Sequence, residues 1–289
     1  MPATALEAAC HLNVLVPGLG DPGFGAALDA LAEAGYRRVV LPPVDPAALD
    51  VPALRSRFAD RGLIPIPIAG QSPDADVSSP DPAVASAGSA ALIAMARFAA
   101  ELGSDQLNGV PYGLFGRAAG PPSGEAVERS ARAVGTVADA AHELGVTMTF
   151  EVLNRYETAF VNTAAQAVDY VRLSGSDHLR IHLDTFHMAI EEADMLAAVR
   201  AAVPILGYLE LGQSGRGALG AGVVDNAAVV AAAWGAGYRG PIGVEAFSRD
   251  VIGPFAGDIL AIWRDPAPDG AALAREAIAI IRRGVVAAG

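Results

Sequence analysis

Cysteine is almost absent. Cys10 is the only one in 289 residues, so no disulfide can close within the chain and the sequence suits a reducing, cytoplasmic setting. Cations are scarce as well, with 20 Lys and Arg against 32 Asp and Glu and a net charge of −12. That balance argues against a nucleic-acid surface, which needs clustered Lys and Arg facing phosphate. No run of about 20 apolar residues escapes interruption by Gly, Pro or charge, so no membrane span is expected. The N-terminal stretch MPATALEAACHLNVLVPG lacks a basic segment followed by a long apolar one, so no signal peptide is expected. The first strand–helix turn, VPGLGDPG, carries no G-x-G-x-x-G, which leaves a dinucleotide-binding open sheet with little support.

What the chain does have is length and apolar content for a large core, 52% of residues being hydrophobic. Short apolar runs alternate with longer amphipathic ones. Strands are expected near 11–16, 37–42, 63–69, 106–110, 146–151, 179–184, 205–210 and 241–245. Helical patterns fall near 24–34, 47–61, 81–102, 123–144, 163–173, 192–202, 225–236 and 270–287. Eight strand–helix units at about 30 residues each predict an α/β fold, a single (β/α)8 TIM barrel over residues 1–289. The phrases AEAGYR, ADRGLI, AELGSD, HELGVT and GAGYRG each place a Gly between a helix and the next strand, where a left-handed residue stops the helix. Two Gly- and Pro-containing stretches, 111–124 and 212–224, read as long loops on the rim that carries barrel active sites.

Four acids end four successive predicted strands: Glu151, Asp184, Glu210 and Glu245. Strand C-termini of a parallel barrel converge on one rim, so these carboxylates should meet in space. A divalent ion with oxygen ligands wants such a set, and without a cation the like charges would repel. An isolated strand-end acid more often caps a helix or pairs with Arg; four in consecutive units favour a metal site. Around them lie Glu157 in EVLNRYE (151–157), His187 in HLDTFHMAIEE (182–192) and Arg216 in LGQSGRGALGAG (211–222). His182, two residues before Asp184, shares its strand face and reads as a buried, hydrogen-bonded group. His11, His142 and His178 read as structural.

EVLNRYE, HLDTFHMAIEE, the LG–x–R–G loop at 211–217 and GVEAF at 243–247 together resemble the ketose 3-epimerases, the D-tagatose and D-allulose (psicose) 3-epimerases of the xylose-isomerase-like barrels. SPDADVSSPDPAV (72–84) and IWRD (262–265) are similar as well, so the resemblance spans nearly the whole chain. It implies a divalent metal, manganese first with magnesium or cobalt as other choices, held at Glu151, Asp184, position 210 and Glu245. It implies Glu151 and Glu245 as the acid–base pair that moves the C3 proton of a ketose through a metal-stabilised enediolate. It also implies Glu157, His187 and Arg216 as sugar-binding residues, a small sugar as the partner, and a homo-oligomer, dimer or tetramer.

The chain departs from that pattern at three positions. Glu210 stands where the family has His, Gln213 where near relatives have Glu, and Leu41 where relatives have an acid before Pro. A fourth carboxylate adds negative charge and favours hard ions; Leu41 is expected to alter a substrate contact. These changes leave two alternatives open beside epimerisation: a related metal-dependent sugar isomerase or dehydratase, or a barrel with lost or altered metal binding that serves as a binding subunit.

Overall fold

The structure, a computed structural model, describes residues 6–266 and 269–289. Residues 1–5, part of the stretch read above against a signal peptide, lie outside the described residues. The apolar runs become strands β1 (Ala9–His11), β2 (Arg38–Val40), β3 (Ile64–Ile66), β4 (Ile68–Ala69), β5 (Gln106–Gly109), β6 (Thr147–Val152), β7 (Arg180–Asp184), β8 (Leu206–Leu211) and β9 (Ile242–Val244). Adjacent pairs are parallel and follow chain order. β3 and β4 are two pieces of one stave, interrupted at Pro67, which has no N–H for the ladder. Its carbonyl still accepts from the Asn108 N–H at 3.1 Å. The ring closes where Ala8 bridges Ile242 and the Ile242 N–H donates to the Glu7 carbonyl at 2.9 Å.

Outside run α1 (Phe24–Ala34), α2 (Val51–Ala59), α3 (Pro82–Leu102), α4 (Gly124–Glu143), α5 (Ala164–Ser174), α6 (Thr185–Glu191), α7 (Met195–Ala202), α8 (Asn226–Gly235), α9 (Arg249–Ile259) and α10 (Gly270–Ala287). Side-chain oxygens of Asp50, Asp81, Asp194, Asp225 and Asp269 accept from first-turn N–H groups and start five of these helices. The five glycines of the repeated phrases, Gly35, Gly62, Gly103, Gly145 and Gly237, all have φ between 63° and 98°, the conformation that stops a helix. By length and composition α3 could cross a membrane. It lies in the helical ring between α2 and α4, with Leu92, Ala96 and Leu102 buried.

Period-2 alternation divides the core. Outward-facing Cys10, Val39, Leu107, Phe150, Ile181 and Leu209 pack against the helices in one large cluster. Inward-facing Ala9, Val40, Ile66 and Tyr208 form a separate plug inside the barrel. Three expectations need adjustment. The first strand lies at 9–11, with residues 12–14 a 3-10 turn, so His11 ends the strand instead of opening it. A helix, α6, starts directly on β7, because Asp184 Oδ1 accepts the Phe186 N–H at 2.6 Å. The sequence reading also had no counterpart to α9, a kinked helix after β9 broken at Gly253 (φ 75°) beside Pro254.

Candidate active site

Alternation that buries the outward residues of β6 to β9 aims their partners inward. Glu151 pairs in register with His182, Asp184 with Glu210, and Glu210 with Gly243. The β7–β8 register shifts once, between Ile181 and His182, beside Gly207, where a Cβ would come within 2.6 Å of Arg180 Cβ. That irregularity sets Glu210 level with Asp184; a one-residue slip would turn it outward. The barrel interior thus carries apolar residues at the bottom and acids above. They border a cavity of about 500 Å³ lined by Glu151, Glu157, His187, Glu210, Arg216 and Glu245. Asp184 is fully buried and does not line the cavity; its Oδ2 lies 3.9 Å from Nε2 of His187, which does. α9 contributes apolar residues at the mouth, Ile252, Phe255 and Ile259, facing Phe115 of the 111–124 loop.

Two motifs brace one wall. In EVLNRYE, the Asn154 backbone N–H donates to His187 Nδ1 at 3.1 Å, and its side-chain Nδ2 lies 2.8 Å from the same atom. Nδ1 is therefore an acceptor, so the neutral ring carries its proton on Nε2, 3.3 Å from Glu151 Oε1. His187 presents a donor to the cavity. Arg155 grips Glu191 through its backbone N–H and guanidinium, at 2.7–2.9 Å, tying this loop to α6. Thr185 Oγ1 donates to the Gly212 carbonyl and accepts its N–H, joining the ends of β7 and β8.

Arg216 crosses the other wall. Its backbone holds φ 54°, an uncommon value for a residue with a side chain. Nη2 lies 2.5 Å from Glu245 Oε2, and Nη1 3.4 Å from Glu157 Oε1. The guanidinium sits 4.3 Å from the Phe186 ring centroid and 4.8 Å from that of Phe247. Burial opposes its charge, but Glu245 and Glu157 hold the proton more firmly still. Gln213 is the hub of the 212–224 loop: Nε2 donates to the carbonyls of Leu219 and Val224, and Oε1 accepts from the N–H groups of Ser214 and Val224. A glutamate could not donate those two bonds. Leu41 departs from expectation. It follows inward-facing Val40, so it turns outward into the core, and Val40 and Pro42 line the cavity instead.

Two histidines read as structural or merely buried prove to be part of the site. His11 Nε2 lies 2.9 Å from Glu210 Oε1, with Nδ1 3.8 Å from Glu245 Oε1; His182 Nε2 lies 3.0 Å from Glu210 Oε2. The approaches are close but off the ring N–H axes, so these nitrogens and both Glu210 oxygens lack a directed hydrogen bond. Burial opposes charge on His11, yet Glu210 pushes its pKa up to about 9, helped by Glu245 and Glu151. His182 is likewise raised against burial by Glu151 and Glu210. Burial disfavours the charge of Glu210, but His11 and His182 outweigh it and hold the carboxyl below its usual range. Glu151 is also lowered against burial, by His182 and His187. Asp184 moves the opposite way: burial, then Glu245, Glu210 and Glu151, push it well above the carboxylate range. The signal for His11 was its place at the C-terminal end of β1; with the strand placed at 11–16, His11 opened the strand at the far rim and that signal was lost. His142 and His178 stack at 3.7 Å away from the cavity.

Such a cluster suits a cation. Asp184 Oδ2, both Glu210 oxygens and His11 Nε2 are buried without a hydrogen-bond partner. Ligand atoms of His11, Glu210 and Glu245 lie within 4.8 Å of one another, as do those of Glu151, Asp184 and His187 and those of Glu151, His182 and Glu210. Hard oxygen donors with an imidazole among them match a first-row divalent ion.

Comparison with known proteins identifies the family. Residues 28–283 match the xylose isomerase-like TIM barrel family. A ketose 3-epimerase of Arthrobacter globiformis is 38% identical, over 96% of each chain. A solved L-ribulose 3-epimerase superposes with a TM-score of 0.92 at 35% identity, covering 98% of this chain and 95% of that one. A D-allulose 3-epimerase from Methylomonas sp., solved in complex with D-allulose, gives 0.90 at 34% identity, with 97% of each chain covered. The chain belongs to the ketose 3-epimerases, carbohydrate isomerases that invert C3 of a ketose, within the xylose isomerase-like TIM barrel family.

Proposed function

We propose that the chain, working as one barrel domain, epimerises free ketopentoses or ketohexoses at C3 with Glu151 and Glu245 as its acid–base pair. The observation that carries this reading is the meeting of three strand-end carboxylates, Glu151, Glu210 and Glu245, at one cavity with Asp184 buried beside them, each of the proposed pair braced by a different group. Glu151 faces the His187 Nε2–H, and Glu245 is gripped by Arg216. Glu151, held ionised by His182 and His187 against burial, suits a proton acceptor. Glu245 would return a proton from the other side of C3. The His187 Nε2–H and the Arg216 guanidinium would direct donors at the oxygens around C1 to C3, and Glu157, 3.4 Å from Arg216, would accept from a sugar hydroxyl. Asp184 and Glu210 complete the proposed cation set with the two catalytic glutamates. A divalent ion held there, manganese by preference, would supply positive charge that stabilises a developing enediolate.

The sequence contains no lysine, so a lysine Schiff base at the ketone is excluded. D-Allulose and L-ribulose, named for relatives, are the first substrates to try. A cytoplasmic setting and a homo-oligomeric state complete the reading, supported by the cysteine content and by the family respectively. The test is incubation of the manganese-loaded protein with D-fructose, D-tagatose, D-allulose and L-ribulose, with products separated by chromatography. A C3 epimer from at least one ketose is expected, abolished in Glu151→Gln and Glu245→Gln variants that keep native circular dichroism. Absence of any C3 epimer across the panel would overturn the reading.

A further inference from the structure

The residue at position 210 poses a question of donors. Both of its oxygens face imidazoles: Oε1 lies 2.9 Å from His11 Nε2 and Oε2 3.0 Å from His182 Nε2. Glu210 is on β8 and His11 on β1, which are not neighbours; β9 lies between them. The contact passes because the intervening position is Gly243, in register with Glu210. A Cβ there would stand 2.8 Å from Glu210 Oε1 and 2.1 Å from the Tyr208 hydroxyl. The missing side chain opens a window through which the first strand reaches the eighth.

Three imidazoles adjoin the acids, and they are not equivalent. His187 is spent: the Asn154 N–H occupies Nδ1, which leaves a proton on Nε2 and no lone pair for a cation. His182 also lines the cavity, but it lies one step down β7 from the rim, 2% exposed, with its ring edge-on to Tyr208 at 4.7 Å and Nε2 against one acid, Glu210. His11 ends its strand, lines the cavity and places one nitrogen against each of two acids, Glu210 at 2.9 Å and Glu245 at 3.8 Å. Two donors of one first-row ion, each at about 2.1 Å, stand at most roughly 4.2 Å apart. The His11–Glu245 separation falls within that span.

We propose that His11 supplies the nitrogen ligand of the cation site, with Glu151, Asp184 and Glu245 as the oxygen ligands and Glu210 behind His11 as its carboxylate partner. The proposal rests on the metal-dependent reading above and deepens it at one ligand. It replaces direct ligation by Glu210 with support of a ligating imidazole by an adjacent carboxylate, the usual outer partner of a metal-bound histidine. Three carboxylates and one neutral imidazole around a doubly charged ion leave one net negative charge, where four carboxylates would leave two. The lower charge better preserves the ion's pull on substrate oxygens.

Pulsed electron paramagnetic resonance of the Mn²⁺-loaded protein reads the donor directly, because a coordinated imidazole nitrogen modulates the manganese echo and a carboxylate does not. The wild type should show nitrogen modulation, retained in His182→Ala and lost in His11→Ala. His11→Gln, which keeps a polar side chain but no imidazole, should lose it too, and covers the case in which the alanine variant misfolds. Mn²⁺ affinity by calorimetry should fall about 10- to 100-fold in the His11 variants. Adding Glu210→His to His11→Ala should restore the modulation from the eighth strand. Modulation that survives without His11, or a wild type that binds Mn²⁺ with no nitrogen signal, overturns the assignment while leaving the metal-dependent reading intact. Failure to bind Mn²⁺ at all overturns both.

Discussion

Arg216 is where the geometry makes its sharpest quantitative demand. Its guanidinium lies between the Phe186 and Phe247 rings at 4.3 and 4.8 Å, with one nitrogen on Glu245 and another 3.4 Å from Glu157. Lysine at this position keeps the charge and one contact to Glu245. It loses the flat face that stacks between two rings and the fork that spans two acids. Each stacking contact contributes about 0.5–1 kcal/mol, and the contact to Glu157 is long. Arg216→Lys should therefore cost about 2 kcal/mol in transition-state stabilisation, roughly 30-fold in kcat/KM. Arg216→Met removes the charge and leaves Glu245 buried without its cation, a loss of about 3–5 kcal/mol. That corresponds to two to three orders of magnitude or more. The assay is steady-state C3 epimerisation of whichever ketose turns over fastest, with thermal unfolding recorded for both variants. Equal kcat/KM for Arg216→Lys and wild type, or equal losses in the lysine and methionine variants, would refute the assignment of distinct stacking and charge roles.

Three further outcomes follow from the same structure. Gln213→Glu replaces two donated hydrogen bonds, to the Leu219 and Val224 carbonyls, with a carboxylate facing carbonyl oxygens; it should destabilise the fold by about 2–4 kcal/mol, and an unchanged Tm would contradict the hub role. Gly243→Ala places a methyl group 2.1 Å from the Tyr208 hydroxyl, so it should lower Tm and weaken Mn²⁺ binding together, whereas normal affinity would count against the window between β1 and β8. Glu191, lowered chiefly by its hydrogen bonds from Arg155, contributes stability that is present above its unfolded pKa of about 4.3 and is lost as pH falls through the lower folded value. Glu191→Gln should therefore melt below wild type at pH 7 and converge with it in acid; a gap that persists or widens in acid would be the contrary result.

The parts of the fold set by local chemistry were legible in the sequence. Glycines that stop helices and acids that end strands announce themselves because φ > 0 and strand-end charge each restrict residue choice at one position. The four carboxylates, Glu157, His187 and Arg216 do border or adjoin one cavity, as their strand-end and loop positions suggested. What escaped depends on phase and register. Placing the first strand two residues late hid His11, since it then opened the strand at the rim opposite the acids instead of ending it beside them. Leu41 was given a site role although inward Val40 makes its neighbour outward. The irregularity beside Gly207 and the gap at Gly243 are visible only once strands are laid side by side, and together they decide what Glu210 touches. α9 escaped because Gly253 and Pro254 interrupt the helical pattern that would have revealed it.

The central claim is that this chain moves the proton at C3 of a ketose. Incubating the Mn²⁺-loaded protein with D-allulose or L-ribulose in D₂O and following the sugar by NMR tests it most directly. Deuterium should enter at C3, at a rate no slower than the new epimer accumulates, and Glu151→Gln should abolish it. Deuterium at C1 with an aldose product, or a sugar left wholly protiated, would contradict the account.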